Sequence, residues 1–503
     1  MVQAFPESFV FGAASSAYQV EGGHASDGKG LSNWDAFCHD RVTRGSTGDI
    51  PGQVSTPGNV FQDQTGDVSC DHYHRYAEDV GLMRDMGLHA YRLSISWPRV
   101  MPDGVGMVNE SGLAFYDRLV DALLAANITP WITLFHWDMP IALWEKGAWQ
   151  NRDIASWFAD YARVVVERLS DRVSHWMTIN EPHIFLGPSE HEGLQTSNSR
   201  KGHAERLLSG HNALRAHGLG AKAIRAAATT PPKVGWAPIG RVKVPAPPPG
   251  TNESLLDATT FKPRPEDVAA AREATLGVRT RDFWNNTWLA DPVVLGQYPA
   301  DGLSLYTPEL ERTATGRRAL DRLHHADDLR EINQPLDFYG VNIYDAERVH
   351  RSETGGVEVV PYPWGHPQTA IRWFIEPLSL YYGPKFLYER YKVPIVITEN
   401  GLSSMDWVDA DGRVRDFGRI DYTRRYLRSI RQAIADGTDI QGYIHWSIID
   451  NFEWQQGYKE RFGLIHVDYQ TLKRTPKESS KWYAEVIRSR GASLDKAWTG
   501  QLS

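Results

Sequence analysis

The sequence is poor in cysteine, has no long hydrophobic run and carries no excess of positive charge. Two cysteines, Cys38 and Cys70, occur in 503 residues. This is too few for a disulfide framework and suits a reducing, cytoplasmic compartment. No stretch approaches the roughly 18 consecutive apolar residues that span a membrane. The formal net charge is −8, without the basic patch of nucleic-acid-binding proteins, so we expect binding to neither nucleic acid nor membrane.

The amino-terminal segment also lacks the signature of a secretory leader. Residues 1–22, MVQAFPESFVFGAASSAYQVEG, contain no basic region followed by an apolar one. The overall composition, 41% hydrophobic and 23% charged, is ordinary for a globular chain. Although three domains of roughly 150 residues would fit this length, single α/β barrels with insertions also reach it. We predict one domain over residues 1–503.

Tryptophan is unusually frequent, with 18 Trp against 17 Phe. An indole offers a flat apolar face and one N–H donor, which suit the C–H groups and hydroxyls of a pyranose. Core packing explains the same count equally well. The composition therefore leaves both a carbohydrate ligand and a purely structural use open.

Eight β-branched or aromatic runs alternate with helical patterns along the chain. The runs cover residues 8–14, 90–97, 128–137, 173–180, 232–238, 336–344, 393–400 and 440–449. Strands alternating with helices predict a parallel sheet with right-handed crossovers, and eight such units close into a (β/α)8 barrel. Segment 240–280, with PAPPPG and scattered acidic residues, is predicted to be a surface insertion between two units.

Two glutamates stand where predicted strands end, Glu181 in MTINEP and Glu399 in IVITENG. An isolated glutamate before Pro or Asn usually caps a turn or a helix. In a parallel barrel, however, side chains at the carboxyl ends of strands carry the chemistry, and these two belong to the fourth and seventh strands. Two carboxyl groups that face one sugar are the acid, base and nucleophile of a glycosidase.

Six motifs extend along nearly the whole chain. They are FVFGAASSAYQVEG (9–22), YRLSISWPRVMPDG (91–104), HWDMP (136–140), TINEP (178–182), VITENG (396–401) and HWSIIDNFEW (445–454). Together they resemble glycoside hydrolase family 1, the β-glucosidase family. The resemblance implies a TIM barrel with extended loops at its carboxyl-terminal face. It also implies a retaining exo-β-glycosidase that needs no cofactor and hydrolyses terminal β-D-glucosyl residues of small glycosides and oligosaccharides.

The resemblance implies a role for each glutamate. Glu181 would be the general acid and then the general base, and Glu399 the nucleophile, with the carboxyl groups about 5 to 5.5 Å apart. Because two close carboxylates do not readily both ionise, Glu181 should hold a proton while Glu399 is anionic. Arg92 and Tyr344 would donate hydrogen bonds to Glu399. Asn180 would bind the sugar 2-hydroxyl group.

A set of sugar-binding side chains is also implied by the resemblance. They are Gln19, His136, Trp137, Trp446, Glu453, Trp454 and Phe462. Taken singly, His136 is more commonly a buried barrel histidine and Trp446 a core aromatic, and the surrounding motifs favour the ligand role. Trp364 and Trp373 are candidate walls for the leaving group, with packing of their own loops as the alternative.

Two departures from the family pattern concern the mouth of the pocket. Ile343 stands where the family commonly has an aromatic residue, and residues 182–199 lack its usual glycine-rich loop. Loops beyond the strand ends decide which leaving group is accepted. The natural leaving group therefore stays open, as does the oligomeric state, including a homo-oligomer.

Two other functions are weighed against this one. Family members that act on 6-phosphorylated sugars usually have serine where Glu453 stands, and a carboxylate repels phosphate. Lys459 and Arg461 follow closely in the sequence and keep a phosphorylated substrate open. The second alternative is a sugar-binding protein without activity, against which the two intact glutamates stand.

A metal site is not predicted. Two groups of potential ligands occur, Cys70, Asp71, His72 and His74, and His324, His325, Asp327 and Asp328. Neither group has the spacing of a closed zinc site. We expect structural or surface roles for both groups.

Overall fold

The computed structural model describes residues 4–39, 59–186, 202–248, 261–281, 283–496 and 498. The strands in these ranges are β1 (Val10–Ala14), β2 (Ala90–Ser94), β3 (Thr129–Phe135), β4 (His175–Asn180), β5 (Lys233–Ala237), β6 (Val242–Pro245), β7 (Tyr339–Asn342), β8 (Ala346–Arg351), β9 (Val357–Val360), β10 (Ile395–Asn400), β11 (Ile440–Trp446), β12 (Ile465–Val467) and β13 (Arg474–Pro476).

Helices occupy most of the segments between these strands. They are α1 (Ala17–Val20), α2 (Asn33–His39), α3 (His72–Asp85), α4 (Trp97–Val100), α5 (Glu110–Ala125), α6 (Ile141–Glu145), α7 (Ile154–Leu169), α8 (Pro182–Leu186), α9 (His203–Ala227), α10 (Pro265–Leu276), α11 (Thr287–Leu295), α12 (Ala300–Leu310), α13 (Ala314–Leu323), α14 (Ala326–Ile332), α15 (Ser379–Tyr391), α16 (Phe417–Ala435) and α17 (Glu478–Arg488). No helix in the described ranges is both long enough and apolar enough to cross a bilayer.

Eight parallel strands form the central sheet, in the order β5-β4-β3-β2-β1-β11-β10-β7. Each coincides with one of the eight predicted runs, which confirms that prediction. The two outer strands of this order, β5 and β7, also meet. The backbone N–H of Asn342 donates to the carbonyl of Pro238 at 2.9 Å, and Ile239 and Asn342 form a parallel bridge. The sheet is therefore a nearly closed barrel.

The crossover helices each bury one face, as α7 illustrates. Its buried residues include Ile154, Phe158, Tyr161, Val165 and Leu169, which recur every three or four positions. This spacing is that of a single helical face. Because α7 connects β3 to β4, its apolar stripe fixes the position of β4, the strand that ends at Glu181.

Side chains of unequal size fill the interior of the barrel. One cluster comprises Ala14, Ala90, Trp131, Met177, Ala237, Phe338, Val396, Ile444, Trp446 and Phe462. A larger core lies between the strands and the helices that surround them. The barrel is thus packed and not a pore, so a ligand site must lie at the ends of the strands.

Part of segment 240–280 has regular structure. β6 pairs with β8 in parallel and β8 with β9 antiparallel, which gives a separate three-stranded sheet. Val242 and Val244 of β6 are buried, as are Ala270 and Ala271 of α10. Residues 249–260 lie outside the described ranges. The surface insertion and the single-domain organisation stay predictions.

Candidate active site

A cavity of about 400 Å³ opens at the carboxyl ends of the barrel strands. Its lining consists of His136, Trp137, Glu181, Ile184, Ile239, Gly240, Arg241, Trp284, Asn342, Tyr344, Asp345, Ile371, Trp373, Glu399, Trp446, Glu453, Trp454, Gln455, Gln456 and Phe462. Both predicted glutamates belong to it. The volume suits a small ligand, since ligand pockets measure roughly 300 to 1,000 Å³.

Glu399, in β10, is held by two donors on different elements. Arg92 of β2 donates from Nη1 to Glu399 Oε1 at 2.5 Å, and the Tyr344 hydroxyl donates to Oε2 at 2.8 Å. Burial raises the pKa of Glu399, while Arg92 and the hydrogen bonds from Tyr344 and Asn342 oppose the rise. The charged form of this carboxyl group is therefore the one that its neighbours stabilise.

Glu181, directly after β4, has different surroundings. Its Oε1 accepts one hydrogen bond, from the amide of Asn342 at 2.8 Å. Burial raises the pKa of Glu181 well above its usual value, and the nearby charge of Glu399 raises it further. These surroundings favour the protonated form of Glu181, whereas the donors around Glu399 favour its charged form.

Asn180 joins the two glutamates through a buried network. Its Oδ1 accepts from Arg92 Nη2 at 2.6 Å and from Asn342 Nδ2 at 3.0 Å. These donors fix the orientation of the Asn180 amide, so its Nδ2 donates to His136 Nε2 at 3.2 Å. His136 Nε2 therefore carries no proton in this arrangement, which agrees with a pKa that burial and then Arg92 hold well below its usual value.

The closed end of the cavity is aromatic and acidic. Trp137 and Trp454 have ring centroids 4.5 Å apart, and His136 stacks on Trp446 at 5.8 Å. Gln19, buried behind this wall, donates from Nε2 to Glu453 Oε2 at 3.2 Å.

Glu453 itself has an altered affinity for protons. Burial, together with the charges of Glu399 and Glu460, raises the pKa of Glu453 to about 8. This end therefore offers flat faces, a carboxyl group that is mostly protonated at neutral pH, and several hydrogen-bonding groups.

The backbone is unusual at three residues that line the cavity. Trp137, Glu181 and Trp454 have positive φ angles of 83°, 45° and 50°, a conformation that costs about 1 to 3 kcal/mol outside glycine. Gly401 lies two residues after Glu399, and a Cβ there would lie 1.7 Å from the carbonyl oxygen of Trp446. The close approach of β10 to β11 thus requires glycine.

Most of the predicted residues come together here. Glu181, Glu399, Tyr344, His136, Trp137, Trp446, Glu453, Trp454, Phe462 and Trp373 line the cavity, and Arg92, Asn180 and Gln19 lie directly behind it. Trp364 does not join them. Its side chain is fully exposed and is not part of the described lining, so only Trp373 of the two leaving-group candidates reaches the cavity.

The basic pair near Glu453 is engaged elsewhere. Lys459 Nζ lies 3.3 Å from Glu460 Oε1, and Arg461 Nη1 donates to Asp450 at 2.7 Å. Neither belongs to the described lining of the cavity. Two departures from the family pattern concerned the mouth of the pocket. Ile343, the first, is fully buried. Of segment 182–199, the second, residues 187–199 lie outside the described ranges.

Several lining residues were not predicted. Asn342 had a signal, because it is a polar residue that ends an apolar strand at the same edge as Glu181. Arg241, Trp284 and Asp345 had none, since they reach the cavity through the folding of segments outside the motifs. Within the described residues, no group of three or more histidine, cysteine or acidic side chains could hold a metal ion.

Comparisons with known proteins agree with this geometry. Residues 1–492 match the model of glycosyl hydrolase family 1. The chain is 38% identical over 494 residues to β-glucosidase A of Thermotoga maritima, covering 97% of this chain and 99% of that protein. It is 39% identical over 488 residues to a β-glucosidase of Agrobacterium sp., covering 96% and 95% of the two chains.

A solved structure is similar over the same length. The Thermotoga maritima β-glucosidase in complex with glucoimidazole has a TM-score of 0.79 at 37% identity, covering 97% of this chain and 99% of that chain. Family, fold and strand-end carboxyl groups therefore lead to one conclusion. This chain belongs to glycosyl hydrolase family 1 and is a glycoside hydrolase.

Proposed function

We propose that the protein is a retaining exo-β-glucosidase that releases terminal β-D-glucose by double displacement. One observation carries the proposal. Two buried carboxyl groups share one cavity, yet Glu399 receives a guanidinium and a phenol while Glu181 receives a single amide. One is kept ionised and the other protonated, as a nucleophile and an acid require.

In the first step Glu181 donates its proton to the glycosidic oxygen while Glu399 attacks the anomeric carbon. The bond to the leaving group breaks and an ester to Glu399 forms. Two observations support a short spacing, since both carboxyl groups line one cavity and the charge of Glu399 raises the pKa of Glu181. A short spacing is the one that retaining enzymes have.

In the second step Glu181 acts as a base. Esterification removes the charge of Glu399, so the pKa of Glu181 falls and the carboxylate can take a proton from water. The water attacks the anomeric carbon from the side that the leaving group vacated, and Glu399 departs as a carboxylate. Both inversions together give a product with the original β configuration.

The closed end of the cavity supports a terminal glucosyl group. Gln19, His136, Glu453 and Trp454 offer donors, acceptors and a flat face there. The names of similar proteins point the same way, since they include a 1,4-β-D-glucan glucohydrolase of Thermotoga neapolitana. We therefore infer small glucosides and glucan oligosaccharides as substrates.

The experiment replaces the nucleophile. Glu399→Ala should abolish hydrolysis of nitrophenyl β-glucoside, and added azide should restore turnover to give the α-configured glucosyl azide. Glu167→Ala, which removes an exposed glutamate of α7, is the control and should hydrolyse the substrate normally. Undiminished hydrolysis by Glu399→Ala would refute the assignment. Absence of turnover by the unmodified protein would favour a sugar-binding protein without activity.

A 6-phospho-β-glycosidase is the second candidate. It is favoured by a similar protein of Bacillus subtilis, an aryl-phospho-β-D-glucosidase that is 36% identical over 525 residues. The carboxyl group of Glu453 and the engagement of Lys459 and Arg461 with other acids oppose it. Comparing kcat/KM for nitrophenyl glucoside and its 6-phosphate decides the matter, and a preference for the phosphate would replace our proposal.

The cysteines suggest where the protein acts. Cys38 and Cys70 are both buried and not disulfide-bonded, which suits a reducing compartment. We therefore propose a cytoplasmic location. Cell fractionation tests it, and activity recovered outside the cytoplasm would contradict it.

A further inference from the structure

Arg241 lines the cavity that also holds both glutamates. It directly follows Gly240, whose backbone N–H donates to the carbonyl of Asn342 at 2.8 Å. The side chain of Asn342 in turn bonds Glu181 at 2.8 Å. Because the acid donates its proton to the oxygen of the leaving group, Arg241 and Glu181 face the same part of the substrate.

The position of Arg241 is fixed by its backbone and its ring neighbour. The buried amide of Asn286 accepts from the N–H of Arg241 and donates to its carbonyl, both at 2.8 Å. The guanidinium lies 5.4 Å from the ring centroid of Trp284, within the range of a cation–π contact. Both side chains line the cavity, so charge and flat face are presented together.

The guanidinium of Arg241 retains an unused donor. Nη1 and Nη2 lie 3.8 Å from Asp345 Oδ1 and Glu347 Oε1, which is too far for a hydrogen bond. Glu347 is bonded instead by Lys243, at 2.5 Å. The buried Nε–H of Arg241 has no hydrogen-bond partner among the described residues. That Nε–H is closed off from the cavity, but the side chain as a whole is 28% exposed. Nη1 and Nη2 can therefore donate hydrogen bonds to a ligand that supplies acceptors.

The acidic residues of the cavity do not prevent a negatively charged ligand from binding beside Arg241. Glu399 is paired with Arg92, burial and then the charge of Glu399 raise the pKa of Glu181 well above its usual value, and the pKa of Glu453 is raised to about 8. Among the described residues of the lining, Arg241 carries the one permanent positive charge. Asp345, the acid of the lining that lies 3.8 Å from Arg241, has a pKa that burial raises above its usual value. An anion beside Arg241 therefore meets a cation, while the nearby acids are paired or shifted toward their protonated form.

Another part of the cavity wall is apolar and flat. Ile184, Ile239 and Ile371 form it together with Trp373, whose ring centroid lies 4.9 Å from that of Tyr344. Aliphatic and aromatic walls favour a planar aromatic ring over a heavily hydroxylated group, because such a ring buries apolar area without unpaired hydroxyls.

We propose that the preferred leaving group is an aromatic ring that carries a carboxylate, with the ring beside Trp284 and Trp373 and the carboxylate on Arg241. This rests on the proposed β-glucosidase function and names its leaving group. The guanidinium acts in binding and takes no part in bond cleavage. It donates charge-assisted hydrogen bonds to the carboxylate from Nη1 and Nη2.

The test compares two glucosides that differ in charge and little in shape, para-carboxyphenyl and para-carbamoylphenyl β-D-glucoside. In the unmodified protein kcat/KM should be higher for the carboxylate. Arg241→Gln should lower that ratio at least about tenfold and leave the carbamoyl substrate nearly unaffected, and Arg241→Lys should retain part of the preference. Arg163→Gln, which removes an exposed arginine of α7, is the matched control.

A binding measurement covers the case in which Arg241→Gln fails to fold. In the unmodified protein para-hydroxybenzoate should inhibit hydrolysis of phenyl glucoside at a concentration at least about tenfold lower than para-hydroxybenzamide does. Equal inhibition, or a substrate ratio that Arg241→Gln does not change, would overturn the inference and leave the proposed function standing. Failure to hydrolyse either glucoside would instead contradict the proposed function.

Discussion

A glutamate stands at the carboxyl end of β4 and another at that of β10, and the two have opposite surroundings. At β10, Glu399 receives a guanidinium from Arg92 and a hydroxyl from Tyr344. At β4, Glu181 receives one amide and lies within the field of the other carboxylate. The comparison teaches that neighbours contributed by other strands of the barrel, and not the residue type, decide which glutamate holds a proton.

The largest expected effect separates the two glutamates by exchanging each for its amide. Glu399→Gln removes the nucleophile and should lower kcat/KM on the order of 10⁶-fold for every leaving group. Glu181→Gln removes the acid. It should cost about 10² to 10⁴-fold for phenyl glucoside and little for dinitrophenyl glucoside, whose leaving group needs no proton. Initial rates on the two glucosides measure both effects.

The pattern across leaving groups is what makes this comparison decisive. A merely structural role of Glu181 would lower the rates on both glucosides in the same proportion. If Glu181→Gln lost as much activity on dinitrophenyl glucoside as on phenyl glucoside, the assignment of acid and nucleophile would fail.

A smaller effect tests how the charge of Glu399 is maintained. Tyr344→Phe removes a hydrogen bond that lowers the pKa of Glu399, so this pKa should rise by about one unit. Activity requires ionised Glu399 and is lost as pH falls through its pKa. The acid limb of the kcat/KM profile should therefore move to higher pH by about one unit.

A second tyrosine serves as the control for that shift. The hydroxyl of Tyr426 donates to the backbone carbonyl of Tyr344 at 3.0 Å and does not bond Glu399. Tyr426→Phe should keep the acid limb in place. If the acid limb moved equally in both variants, its position would depend on a general loss of packing around Tyr344 and not on the hydrogen bond to Glu399.

The smallest expected effect concerns the alkaline limb. Activity requires protonated Glu181 and is lost as pH rises through its pKa, which the charge of Glu453 helps to raise. Glu453, with a pKa of about 8, carries that charge at alkaline pH. Glu453→Gln should therefore move the alkaline limb to lower pH. A limb that stays in place or moves to higher pH would contradict this coupling.

The barrel could be predicted from the sequence because its signals are local. Each parallel strand is buried on both faces and therefore is a continuous β-branched or aromatic run, as in IVITEN at β10. Strands β8 and β9 were not predicted because they are short strands of a local antiparallel pair, and β6 because it pairs with β8, which lies far along the chain. Pairing of that kind depends on tertiary packing.

The closed end of the cavity could also be predicted, whereas the open end could not. Glu181, Glu399 and Glu453 lie in motifs at strand ends, where position alone indicates chemistry. Arg241 depends on the side chain of Asn286, 45 residues away in sequence, and no local pattern records that contact. Trp364 is the opposite case, because the sequence made it a candidate wall for the leaving group and its side chain is fully exposed.

The left-handed backbone of Glu181 has a consequence for how this position tolerates change. Its φ of 45° suits glycine or asparagine better than glutamate. A chain selected for thermal endurance alone would accept one of those residues here. The glutamate at this position therefore holds its carboxyl group in the cavity at a conformational cost of about 1 to 3 kcal/mol, a cost that glycine would avoid only by giving up the carboxyl group.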